Sequence, residues 1–189
     1  MTPLPRSRIE AMVVAVWSLA LTVALVCPMW TDDPADGLIR QTIRVALACY
    51  LVAVAGLLVP RIGPRFTRLV WTLGWVAYLV HVAMAFDLAF GWSHAAAVVH
   101  TRERSGVGEG IYASHLFTLL WTADVGWWWF APRGHVTRPR WIAFALHGFM
   151  AFVVFNATVV YETGPIRWAG VAGFAALGVL LAWRFRRGL

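Results

Sequence analysis

The sequence predicts an all-α integral membrane protein: a six-transmembrane-helix bundle, N-in/C-in. Three observations carry this. First, 60% of the 189 residues are apolar and only 13% charged, against about 45–50% and about 25% in a soluble globule, and the mean hydropathy is +0.68. Second, the apolar residues gather into runs of about 20, the length that crosses a hydrocarbon core of about 30 Å at a rise of about 1.5 Å per residue. Third, arginine alternates between the joining segments as the positive-inside rule requires of a multi-pass chain. The low-hydrophobicity stretches of a disordered chain and the cysteine density of a disulfide scaffold are both missing.

The first span covers about 10–30. Arg6 and Arg8 ahead of it resemble the start of a secretory signal, but the run is too long for an h-region and no small-x-small cleavage site follows, so it is read as a retained span. Spans two and three cover about 42–60 and 68–91, separated by the Pro60 to Pro64 turn. The segment 92–110 is the one joining stretch with room for structure outside the membrane; residues 92–100 either prolong span three or form an interfacial piece. Its Ser105 to Gly110 run resembles a phosphate-cradling loop, yet no strand precedes it and no Lys follows, so its glycines are read as turning the chain back toward the bilayer. Spans four, five and six cover about 111–131, 141–161 and 165–183. Span six has nothing ionisable between Trp168 and Trp183 and carries small residues at four-residue spacing, as a packing helix does. The chain 1–189 is thus one transmembrane domain without internal repeat.

All 16 basic residues are arginine. Arg6, Arg8, Arg61, Arg65, Arg68, Arg133, Arg138, Arg140, Arg184, Arg186 and Arg187 fall on one side of the spans, which makes that side cytoplasmic. Asp32, Asp33, Asp36, Glu103, Glu109 and Glu162 fall on the other, with the remaining Arg40, Arg44, Arg102, Arg104 and Arg167. The expected address is a bacterial inner membrane, multi-pass, with both termini inside. The net charge of +7 is absorbed by this asymmetry, so the expected partners are the lipid bilayer and other membrane subunits, not nucleic acid. The absence of Lys excludes Schiff-base chemistry, and Cys27 and Cys49 are too few for a thiolate metal site. Most of the 12 tryptophans lie near span ends, where indole anchors at headgroup level.

Ionisable groups inside the spans are costly enough to be functional candidates. Span three carries His81 and Asp87, the following segment His94 and His100, span four His115 and Asp124, span five His147. Counting helical rise, His81 and His115 come to about 20 and about 24 Å above the cytoplasmic surface, and Asp124 and His147 both to about 9–10 Å. The bundle is therefore expected to hold an outer cluster and an inner polar pair, Asp124 with His147. For the outer cluster, His81 and His115 at similar depth are the candidate axial ligands of a haem b. Asp87, His94, His100 and His115 are the candidate ligands of a divalent metal nearer the rim. The 13 residues from His81 to His94 loosely resemble the stacked haem ligands of ferric-reductase-like membrane proteins. The second histidine pair of that family is missing, since spans four and five carry His115 and His147 alone, and the chain is not assigned to it. Beside this redox-type reading stand two others: a structural or assembly subunit whose buried polar groups hydrogen-bond across the bundle without a cofactor, and a small proton-coupled transporter.

Overall fold

A computed structural model describes residues 6–187, with the side chains of Arg6 and Pro60 left aside, and among them every regular element is helical. The long helices are α1 (Arg6–Val26), α2 (Pro34–Leu58), α3 (Pro64–Met84), α5 (Gly110–Phe130), α7 (Arg140–Phe155) and α8 (Gly164–Arg186). Two shorter ones, α4 (His94–Ser105) and α6 (Pro132–Thr137), lie in segments that hydropathy alone reads as loops. Among the described residues five helical stretches are long and apolar enough to cross a membrane: Ser7–Trp30, Pro34–Leu58, Pro64–Ala89, Arg140–Val160 and Gly164–Arg186. They coincide with five of the expected spans. The remaining expected span, the fourth at about 111–131, coincides with α5, a helix of 21 residues that falls short in hydropathy, because it carries His115, Asp124 and the near-neutral indoles of Trp121, Trp127, Trp128 and Trp129.

The helix ends follow local chemistry. Asp33 caps α2 by accepting the Asp36 N–H at 3.0 Å, with Pro34 next to it in the first turn where no N–H is needed. Ser93 caps α4 through the Ala96 N–H at 3.2 Å, and Gly106 ends α4 in the left-handed region at φ 79°.

The chain forms two compact units, one ending at Trp92 and the other beginning at Ser93. In the first, α2 and α3 share a tight seam. Thr42, Ala46, Tyr50, Ala53 and Gly56 lie at helical spacing on α2, and Thr67, Val70, Trp71, Gly74, Ala77 and Tyr78 on α3, all buried. A Cβ at Gly56 would come within 2.6 Å of Thr67 Oγ1, so glycine is what lets these helices approach. The Tyr50 and Trp71 rings meet at 5.9 Å higher in the same seam.

After α3 a π-helical segment, Ala85–Ala89, leads into a sharp stop. Gly91 and Trp92 both take positive φ, 53° and 58°. For a tryptophan this is a rare conformation. Two hydrogen bonds hold it: Trp92 N–H donates to the Phe86 carbonyl at 2.8 Å, and its indole N–H to Asp87 Oδ1 at 3.0 Å. Span three therefore does not continue past Gly91, and residues 94–105 form a helix of their own.

In the second unit, α7 likewise runs into a π-helical segment, Asn156–Val160. The small-residue helix α8 packs there through Gly170, whose added Cβ would meet Thr158 Oγ1 at 2.9 Å.

Candidate functional site

Two polar groups stand out in the second unit, and α5 contributes to both. At its start, His115 projects beside His94, the first residue of α4. The α4–α5 hairpin turns through Ser105–Gly110, folding so closely that a Cβ on Gly108 would touch Val98 at 3.0 Å. This brings together two histidines 21 residues apart, His115 Nε2 lying 3.4 Å from His94 Nδ1. The rings are stacked at 5.3 Å with an interplanar angle of 29°, and Tyr112 sits one turn before His115 with its ring 5.7 Å from His94. All three are exposed.

At the other end of α5 the group is closed. Asp124 is 2% exposed. Its Oδ1 accepts from both His135 Nε2, at 3.2 Å, and Arg138 Nη1. The second arm of the Arg138 guanidinium, Nη2, donates to His147 Nε2 at 3.2 Å. The local sequence explains the placement. Ala131 leaves helical geometry ahead of Pro132, and Pro132–Thr137 forms a six-residue helix that carries His135. Arg138, before Pro139, is held extended (φ −57°, ψ 146°), and its side chain, 7% exposed, turns back under α5. His135 stacks on Trp128 with ring centroids 4.4 Å apart and planes within 9°. The Arg138 guanidinium lies 6.0 Å from the Trp127 ring centre.

The expected inner pair is thus one neighbourhood, but Asp124 and His147 are joined through Arg138, and His135 completes the group. Sequence reasoning missed the last two. The positive-inside pattern accounts for Arg138 as one more loop arginine, and His135 sits in what hydropathy reads as a loop. The signal that could have found them is the pair of prolines, Pro132 and Pro139, enclosing a helix-length segment whose polar residues follow Asp124 closely.

The other expected residues are dispersed. His81, in the first unit, donates its Nδ1–H to the Ile39 carbonyl at 2.9 Å, and Asp87 receives the Trp92 indole. His100 follows His94 by six residues on α4, about 240° around the helix, so the two do not share a face. Among the described residues no group of three or more His, Cys, Asp or Glu is gathered closely enough to hold a metal ion. His94 and His115 are the part of the expected metal set that one unit brings together.

The fold and these groups define the class: a helical protein with several apolar helices compatible with a membrane protein. No known protein family, no curated protein and no solved structure matches the chain.

Proposed function

We propose that the chain is a six-span subunit of a bacterial inner membrane, both termini cytoplasmic, that binds a divalent transition metal at its outer end through His94 and His115. The observation that carries this reading is the 3.4 Å between the two facing imidazole nitrogens. Two nitrogens each about 2.0–2.1 Å from a tetrahedral ion lie about 3.3–3.4 Å apart. The pair therefore already has the separation two ligands of one ion take, on exposed side chains an ion can reach. Water or a further polypeptide completes the coordination. The six-span count is supported by the length of α5 and by arginines on alternate joining segments, which also give the orientation.

Metal analysis and Co²⁺ titration of detergent-purified protein test the site. One equivalent of ion with a tetrahedral cobalt spectrum is expected, weakened at least about tenfold in His94→Ala and in His115→Ala. Equal binding by the wild type and the double variant overturns it. For orientation, reporter fusions in 133–140 are expected to read cytoplasm and fusions in 102–110 exterior; an exterior signal from 133–140 overturns the six-span count.

A second reading draws on His81. With Nδ1–H committed to a backbone carbonyl, its Nε2 carries the lone pair, the arrangement that outer hydrogen bonding gives a metal-ligating imidazole. It supports His81 as a haem ligand. A Soret band in purified protein that disappears in His81→Ala would favour it.

A further inference from the structure

The first unit has an opening that neither histidine reading uses. Whereas α2 and α3 are seamed together, α1 leans on them loosely and leaves a groove of about 730 Å³. Its lining runs along α1 and one residue past it, from Ile9 to Cys27, which at 1.5 Å per residue is about 27 Å, close to a full hydrocarbon thickness. Along this length the walls are almost wholly apolar, with Val45 and Val52 from α2 and Phe66 and Leu73 from α3. The exceptions, Gln41 and Arg44 of α2, lie on the half of the groove nearer the α1–α2 turn.

Arg44 is the charged residue of the lining. It donates from Nη1 to Gln41 Oε1 at 3.1 Å, a neutral partner. The ion pairs formed among the described residues engage other arginines, Arg40 with Asp36 for example, and none engages Arg44. A guanidinium two to three turns into a membrane-length helix, without a counter-charge from the protein, calls for an anion from its surroundings. A second polar feature lies deeper. The Trp17 indole lines the same groove, and its buried Nε1–H has no acceptor among the described residues. Counting rise from the α1–α2 turn, Trp17 is about 20 Å down and Arg44 about 15 Å, so the indole donor lies about 5 Å below the cation.

An anion binder on the turn-proximal half, a hydrogen-bond donor a little deeper and an apolar trough beyond match the order of a phosphate, an ester carbonyl and an acyl chain. We propose that this groove is a binding site for one glycerophospholipid, its phosphate held by Arg44 and Gln41 and an acyl chain lying between α1 and the α2–α3 pair. An isoprenoid quinone would fill the trough but bring no charge to Arg44. The volume lies within the range of about 300–1,000 Å³ usual for small-molecule sites.

The test uses the full chain after exhaustive detergent exchange, with native mass spectrometry and lipid extraction. About one phospholipid per chain is expected in the wild type and in Arg44→Lys. At least about a fivefold loss is expected in Arg44→Gln, and in Ala48→Phe, which fills the trough, with helicity by circular dichroism confirming each fold. Phospholipid absent from the wild type, retained equally by both loss variants, or replaced by quinone or free fatty acid overturns the proposal. Should a variant fail to fold, the wild type decides: added phosphatidylglycerol is expected to raise its melting temperature and diacylglycerol, which lacks the phosphate, to leave it unchanged. Equal shifts, or none, overturn it.

Discussion

The two ends of α5 place histidines in opposite settings. At the closed end hydrogen bonds through Asp124 Oδ1 and Arg138 link a carboxylate, a guanidinium and two imidazoles, and the charges of Asp124 and Arg138 cancel inside the unit, while Asp124 Oδ2 has no hydrogen-bond partner among the described residues. At the open end two imidazoles and a phenol face one another in solvent-accessible positions with no acid among them. A buried ion costs several kcal/mol to desolvate and is tolerated only with its partners in place. An exposed imidazole pair incurs no such cost, and an ion can reach it. The comparison teaches that polar groups in an apolar chain divide into those that hold the fold and those able to receive a ligand. Burial with a counter-charge is the mark of the first kind.

The largest effect that could break this comparison comes from removing one ion of the closed group. Arg138→Ala leaves Asp124 buried with only His135, and a loss of about 3–5 kcal/mol is expected, read as detergent-solubilised thermal or chemical stability. Arg138→Met combined with Asp124→Asn should recover much of it, since neither charge is then stranded. A cost under about 1 kcal/mol for Arg138→Ala would mean that the cluster does not hold the unit. One step smaller is the coupling between Asp124 and His147. Because they communicate through Arg138, a double-mutant cycle should give about 0.5–3 kcal/mol in the wild-type background and close to nothing with Arg138→Met. Coupling that survives this replacement would point to direct contact. The smallest effect belongs to the open end. His94→Ala and His115→Ala should each stay within about 0.5 kcal/mol of the wild type without added metal. A cost comparable to that of Arg138→Ala would place this pair with the structural group and remove the ground for a metal site.

Much of the helical layout is written in the residues. Apolar runs of membrane length, punctuated by Pro60, Pro64, Pro139 and Pro165, place the long helices to within about four residues, because hydropathy and proline act locally; the exception is the start of α2, which lies eight residues earlier than expected, at Pro34. Depth counting also brought Asp124 and His147 to one level, since helical rise is nearly constant. The short helices were beyond that reach. Nothing periodic marks α6 as more than a cytoplasmic loop, so the positive-inside reading absorbed Arg138, although its side chain is turned inward. The break at Gly91 to Ser93 was visible as glycine followed by a capping serine. Whether the helix stopped there depended on Trp92, whose left-handed backbone is held by Phe86 and Asp87.

The sequence by itself determined the helical class, the apolar stretches and the residue types available for chemistry, because these follow from composition and short-range rules. Only the tertiary structure decided which polar groups meet. His94 reaches His115 because a glycine-rich turn folds α4 against α5, and Arg138 reaches Asp124 because two prolines redirect the chain beneath its own helix. In both cases the partners are separated by a change of chain direction. Such turns depend on backbone angles and packing at a few residues, and a one-dimensional hydropathy pattern averages over them.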